Sequence, residues 1–443
     1  MIRIEELMKK DGECCECGKR HFSGLHDCII GEDALSAIPG LLAKYSVSHP
    51  FVLCDRLTYA AAGERICAAL DRDGIKYTLH IIERTHPAPD ERIVGEALMH
   101  CGGECDSVIA VGGGVINDTC KIISSARNIP DIYASTAPSM DGFASGSSSM
   151  ERDGLKVSLN SKCPEAVVGD ASVLADAPVR MIRSGIGDMV AKYVSIAEWR
   201  IASLLLGEYY CPRVAGLVNE SLDVCVRSAK AAVSGDHAAV CALTEGLVVS
   251  GIAMNYAGIS RPASGMEHYI SHIIDMRALE FGTPSDFHGI QCGIGTVITC
   301  QAYEMLREVK PDPERALAYV SSFSFKKWAD HMRERLGHGA EAMIAGEYRE
   351  KKYDPEKHKA RLAKIIGNFD EIKKISETLP SSKSIAGFLE SIGHPVSGLE
   401  IGLSRDDMRE AFLMAKDIRD KYVIGRLLWD LGLLEEFSER ITY

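Results

Sequence analysis

The stretch from Val108 to Ser145, VIAVGGGVINDTCKIISSARNIPDIYASTAPSMDGFAS, constrains the fold of this chain more than any other. Val108, Ile109, Ala110 and Val111 make a short apolar run of the kind that forms a buried parallel strand. Gly112, Gly113 and Gly114 then let the backbone turn with no Cβ in the way. Apolar residues at helical spacing from Val115 to Ala126 predict a helix whose open N–H groups face the strand end, where an anion such as a pyrophosphate is stabilised. The glycines are contiguous rather than spaced as G-x-G-x-x-G, so the run taken alone also describes a plain strand-to-helix turn.

The neighbouring sequence alternates between strand and helix. Residues 51–55, 77–82, 108–111, 132–134 and 166–168 read as short buried strands, with helices predicted over 60–72 and 91–101. That alternation marks a parallel sheet covered by helices. Asp55 ends its strand where a nucleotide ribose would lie, so its carboxylate either accepts from ribose hydroxyls or caps the next helix. After Ala177 and Pro178 the strand signals stop, and helical periodicity dominates, as in 231–256 and 408–434. The expected architecture is an α/β, Rossmann-like dinucleotide-binding domain over residues 1–177 and an all-α domain over 178–443. The strongly charged segment between about Lys326 and Lys374 reads as a solvated helical excursion.

A net charge of −12 argues against a nucleic-acid surface or a polybasic membrane patch, both of which need clustered Lys and Arg. No apolar run reaches the roughly 18 residues that span a bilayer, and the N-terminus lacks a hydrophobic signal core. The 15 cysteines are scattered, many within apolar segments, as in a cytoplasmic protein with reduced thiols. One cluster stands apart: Cys14, Cys15, Cys17, His21, His26 and Cys28. Only Cys14 and Cys17 have C-x-x-C spacing, whereas structural zinc sites usually offer two such units, so the expectation is an arm or hairpin carrying free thiols.

Three further segments supply metal-ligand chemistry. Asp188 follows two glycines in SGIGDMVAK and reads as the start of an apolar helix; a helix cap would explain it equally. His268 and His272 in ASGMEHYISHIID are four residues apart and share a helix face. His288 in HGIQCGIG stands just before a glycine-spaced helix. One carboxylate with two or three imidazoles suits a divalent ion with open positions for substrate, while core histidines satisfied by backbone groups are the competing reading.

In order, GGGVINDTCK, STAPSMDGFASGSS, SGIGDMVAK, ASGMEHYISHIID and HGIQCGIGT resemble the motifs of the sn-glycerol-1-phosphate dehydrogenase family. That family belongs to the superfamily of iron-type alcohol dehydrogenases, glycerol dehydrogenase and dehydroquinate synthase. The resemblance runs from about Cys28 to RDKYVIGRLLWDLGLLEE near the C-terminus. It implies a dehydroquinate synthase-like fold that takes NAD or NADP and one divalent metal, zinc, nickel or iron. It also implies reversible reduction of dihydroxyacetone phosphate to sn-glycerol 1-phosphate by a homodimer or larger homo-oligomer. By the same resemblance Asp188, His268 and His288 are metal ligands, and Asp141 and His272 contact substrate together with Asp188. Gly112, Gly113, Gly114, Val115, Ile116, Asn117, Asp118, Thr136, Ala137, Pro138, Ser139, Ser145 and Asp55 take the cofactor-binding positions. Met140, Met266 and Ile290 depart from the family pattern. Another polyol or polyol-phosphate dehydrogenase, or a dehydroquinate synthase-like cyclase, uses the same scaffold. Lys156, Lys162, Arg180 and Arg261 are candidate partners for a substrate phosphate.

Overall fold

Six parallel strands form the sheet of the computed structural model, which describes residues 4–85, 87–153 and 155–443. They are β1 (Asp27–Gly31), β2 (Pro50–Asp55), β3 (Thr78–Ile82), β4 (Ser107–Gly112), β5 (Asp131–Ser135) and β8 (Ala166–Asp170), in the order β1-β8-β5-β4-β2-β3. Between β5 and β8 the chain makes an antiparallel pair, β6 (Ser147–Arg152) and β7 (Leu155–Asn160). The strands predicted at 51–55, 108–111, 132–134 and 166–168 form as largely buried apolar runs, whereas the one predicted at 77–82 forms over Thr78–Ile82 at the sheet edge, where all but Ile82 are only half-buried. β1 carries only two aliphatic residues among half-buried neighbours, and the serine-rich β6 alternates weakly, so neither stands out by periodicity.

One face of the sheet is continuous apolar core. Val52, Cys54, Ile109, Val111, Ile132, Ala134, Ala166 and Val168, alternate residues on four adjacent strands, pack with Ile38, Leu42, Ile66 and Leu70 from the covering helices. Each valine, isoleucine or leucine among them, taken fully from water, contributes roughly 1.5–3 kcal/mol before conformational entropy is counted. The helix predicted over 60–72 forms in three pieces: a turn at Arg56–Thr58, a π-helical turn at Tyr59–Gly63 and an α-helix at Glu64–Arg72.

By contacts the chain forms two compact units. The first runs to Met189 and includes Pro212–Ile259; the second comprises Val190–Cys211 and Ser260–Tyr443. Strand signals end with β8, but helix His237–Ala257 returns to pack on β1 and on the helix Ala171–Ala175, which places it in the sheet-bearing unit. A boundary read from where strands stop cannot see that return. This helix is long and apolar enough to cross a membrane by length and composition, and 67% of its most apolar window is buried in the protein. Its companion is the equally long helix Pro212–Ala232, against which it packs along much of its course.

Every described element of the second unit is a helix. The charged segment near its middle is not simply solvated. Tyr353 and His358 are buried, Arg361 pairs with Asp430 at 2.8 Å, and Tyr353 stacks on Phe323 with ring centroids 4.0 Å apart. The charges mask a period of apolar and aromatic residues that faces inward.

Candidate active site

In the first unit, β2 leads outward to β3 while β4 leads the opposite way to β5, so the carboxyl ends of adjacent β2 and β4 flank the point where strand order reverses. Leu53 pairs with Ala110, and the same register brings Asp55 level with Gly112. Nucleotides bind at such points in open parallel sheets. None of the three glycines needs a left-handed backbone; their use is close approach. A Cβ on Gly112 would lie 2.6 Å from Ile116 Cγ1, and one on Gly114 would lie 2.9 Å from Met140 Cε.

Helix Gly114–Arg127 starts with no side-chain cap, which leaves its first-turn N–H groups open to an anion. Gly113, Gly114 and Val115 are partly exposed, whereas Ile116 and Asn117 are fully buried. Neither polar atom of the Asn117 amide has a partner among the described residues. An uncapped helix start beside an orphaned amide fits a dinucleotide phosphate. Asp55 Oδ1 accepts from Thr58 N–H at 2.8 Å, so the cap role is real, and only Oδ2 is left to accept from a ribose.

Sequence reasoning overlooked Lys121. Its fully buried ammonium pairs with Asp118 at 2.9 Å and donates to the carbonyls of Gly142 and Ser147. Lys121 thereby fixes the loop carrying Thr136, Ala137, Pro138, Ser139, Asp141 and Ser145. Ser145 Oγ donates to Gly142 O at 2.9 Å within that loop. Asp141 N–H donates to Asp188 Oδ2 at 3.0 Å, and Ser250 Oγ donates to Asp141 Oδ2 at 2.8 Å.

Asp188 is not at a helix start. It lies in the last turn of helix Val179–Val190 and is fully buried. The preceding glycines signalled a break, but Gly185 is interior to that helix, and a Cβ there would sit 2.0 Å from Pro138 O. The glycine marks a contact between helix and loop, not a cap.

In the second unit His268 and His272 lie on helix Met266–Phe281, and His288 opens helix His288–Arg307. The two helices pack together. Ligand atoms of His268, His288 and Cys292 lie within 4.8 Å of one another, as do those of His272, Asp275 and His288. The rings of His272 and His288 stack with centroids 5.6 Å apart.

His268 and His288 are held from behind. His268 Nδ1 is 2.9 Å from Glu267 Oε1, so Nδ1 donates and Nε2 is left as the metal-binding atom. His288 Nδ1 is 3.1 Å from Ser271 Oγ, and Gln291 Nε2 donates to Ser271 Oγ at 3.0 Å and to Asp275 Oδ1 at 2.8 Å. Behind Glu267, burial and then the Glu267 carboxylate push Glu198 up to about 8. Burial works against ionisation of Cys292, but the His268 and His288 imidazoles outweigh it and hold the thiol below its ordinary value. The two imidazoles, with this thiol beside them, form a donor set suited to a borderline-soft divalent ion.

Glu267, Ser271, Gln291 and Cys292 were not identified from sequence. The signal was available in part: Gln291 and Cys292 follow His288 by three and four positions, on one helix face, whereas Ser271 reaches His288 from the neighbouring helix. Of the candidate phosphate partners, Arg261 is committed elsewhere. It is buried, pairs with Glu208 at 2.7 Å and donates to Tyr422 O at 2.9 Å. Lys162 donates to Asn128 Oδ1 at the surface.

A family described as iron-containing alcohol dehydrogenase matches residues 29–178. A Bacillus velezensis protein named glycerol-1-phosphate dehydrogenase, NAD(P)+, is 33% identical over 402 residues, covering 90% of this chain and 89% of that one. A Pyrococcus horikoshii protein of the same name is 33% identical over 308 residues, covering 69% and 82%. Among solved structures, a probable glycerol dehydrogenase from Sinorhizobium meliloti 1021 superposes with a TM-score of 0.59 at 18% identity, covering 94% and 98%, a likeness of fold.

Proposed function

The chain belongs to the glycerol-1-phosphate dehydrogenase family, and from that membership we propose how its residues carry out the reaction. The protein is an oxidoreductase that reduces dihydroxyacetone phosphate with NAD(P)H and a proton, giving sn-glycerol 1-phosphate and NAD(P)+, reversibly. Asp188, His268 and His288 would hold a divalent metal; zinc, nickel and iron all suit such a donor set. When bound, the ion supplies Lewis-acid stabilisation of the charge that develops on the C2 oxygen, and the nicotinamide supplies the hydride.

The chain's own groups prepare that chemistry. Glu267 fixes His268 in the tautomer that leaves Nε2 unprotonated, and Ser271, itself held by Gln291, orients the His288 ring. Asp141, steadied by Ser250, binds a substrate hydroxyl and sets which face of the ketone meets the hydride. His272 relays a proton from solvent to the C2 oxygen, one ring nitrogen accepting a proton as the other donates one. The open first turn of helix Gly114–Arg127 takes the cofactor pyrophosphate, and Asp55 Oδ2 takes the ribose. The loop residues Thr136, Ala137, Pro138, Ser139 and Ser145, held by Lys121, line the cofactor. We further propose that the protein works in the reducing cytoplasm as a homodimer or larger homo-oligomer; every described cysteine is free of a disulfide.

The observation that carries the catalytic reading is the convergence of His268 and His288, with His268 oriented by Glu267. Elemental analysis of purified protein, alongside NADH oxidation with a panel of phosphorylated and free ketoses, tests it. Metal bound in the wild type, lost in His268→Ala and required for turnover with dihydroxyacetone phosphate is the expected result. Full turnover by His268→Ala with unchanged metal content would overturn it.

A further inference from the structure

Residues 14–22 form a small hairpin in the first unit that the reaction leaves unused. Cys14 and Arg20 make an isolated antiparallel bridge, Cys15 N–H donates to Lys19 O at 2.9 Å, and Gly18 N–H donates to Cys15 O at 2.9 Å. Gly18, with φ +82°, turns the chain directly after Cys17, in a region that favours glycine. The turn brings the Sγ atoms of Cys15 and Cys17 and a ring nitrogen of His21 within 4.8 Å of one another.

Two details distinguish this cluster from a chance meeting of thiols. His21 is 3% exposed, and its Nδ1 lies 2.7 Å from the Tyr256 carbonyl oxygen. A carbonyl only accepts, so Nδ1 carries the proton and Nε2 turns its lone pair toward the sulfurs, as in metal-bound histidines whose second nitrogen is held by a carbonyl. The spacing also fits: tetrahedral zinc, with Zn–S of about 2.3 Å and Zn–N of about 2.0–2.1 Å, sets sulfur and nitrogen about 3.6 Å apart. Cys17 Sγ is 3.4 Å from His21 Nε2. Cys14, which the C-x-x-C spacing had singled out, is exposed on the bridge, and Cys15 takes its place in the cluster.

We propose that Cys15, Cys17 and His21 are ligands of a structural zinc ion, separate from the catalytic metal. The ion clamps the hairpin to the end of helix His237–Ala257, where the Tyr256 ring stacks on His21 at 5.3 Å. Binding releases the two thiol protons to solvent and involves no redox change. The need for it is physical: apart from His21, residues 9–22 are exposed or only half-buried, so apolar burial does little to hold the hairpin in place. The fourth coordination position goes to water or a further thiolate.

Residue-resolved alkylation of the full-length wild-type chain by iodoacetamide, read by mass spectrometry with and without a zinc chelator, tests the proposal. Cys14 serves as the internal control in the same peptide. The expected result is at least a tenfold slower reaction of Cys15 and Cys17 before chelation than after it, with Cys14 unchanged. In addition, Cys17→Ser loses one equivalent of zinc per chain while NADH-linked turnover persists. Equal alkylation rates with and without chelator, or undiminished zinc in Cys17→Ser, would refute the site. If Cys17→Ser does not fold, the alkylation rates of the unaltered chain decide the question.

Discussion

The main-chain N–H of Asp141 donates to the Asp188 carboxylate at 3.0 Å, so the aspartate assigned to the substrate and the aspartate assigned to the metal are one hydrogen bond apart. That bond needs the loop after β5 to lie against helix Val179–Val190, and Gly185 provides the room: its missing Cβ would fall 2.0 Å from Pro138 O. Gly185→Ala should therefore push the loop away and destabilise the fold by more than about 2 kcal/mol, the cost of overpacking a close backbone contact. Urea unfolding and kcat should both register it. A variant with wild-type midpoint and turnover would show that the contact carries neither.

Removing the Asp141 carboxylate leaves its main-chain bond to Asp188 in place. Asp141→Ala should thus raise KM for the ketose phosphate and lower kcat/KM about a hundredfold, the scale of losing a positioning contact. Metal content should stay at the wild-type value. Loss of metal together with activity would mean that the side chain acts on the metal site instead.

Glu267 is a positioning residue for His268, with Oε1 2.9 Å from Nδ1. Glu267→Gln should weaken metal affinity by about 10- to 100-fold, as removal of such partners typically does. Metal titration should show the change, and excess metal should restore most of kcat. Unchanged affinity would assign Glu267 to packing alone.

Asp55 has two roles that different substitutions separate. Asp55→Ser keeps a side-chain oxygen for Thr58 N–H, and so should keep stability while relieving repulsion of a 2′-phosphate. Asp55→Ala should lose the cap as well, at about 1 kcal/mol. The wild type is expected to favour NADH, and the serine variant to shift kcat/KM toward NADPH. A wild type that strongly prefers NADPH would exclude the ribose role.

Acid should loosen the second unit through Asp417. Burial opposes its ionisation, but Lys416 and Arg426, each 2.6 Å away, outweigh that and hold its carboxyl below its ordinary value of 3.8. Because the folded-state value is depressed, the stabilisation is complete above about pH 4 and is lost as pH falls through the folded-state value. Asp417→Asn should cost about 3–5 kcal/mol at neutral pH, since it strands two buried cations. The loss relative to wild type should shrink below pH 4. Thermal unfolding measured across pH reads both effects.

The parallel sheet was legible because its strands are apolar runs and strand periodicity is local. The histidines were legible as residues, since His268 and His272 share a helix face by spacing alone. Asp188 was identified but set at a helix start, because glycine reads as a breaker until the partner that excludes a Cβ is known. The support behind the histidines, Glu267, Ser271 and Gln291, was not read: Gln291 lies one helical turn from His288, but Ser271 reaches His288 from the neighbouring helix. Buried Tyr353 and His358 were hidden in a segment whose charge dominated its pattern.

Local order, from strand 108–111 through the glycines into a helix, follows from the residues themselves, because backbone freedom, apolar period and open N–H groups are properties of neighbours in the chain. Which distant groups meet is a different matter. That Lys121 reaches Gly142 and Ser147, that helix His237–Ala257 returns to β1, and that Cys15 rather than Cys14 joins Cys17 and His21 all depend on packing. Such contacts are selected by what fits against what in three dimensions, and no local period along the chain encodes that fit.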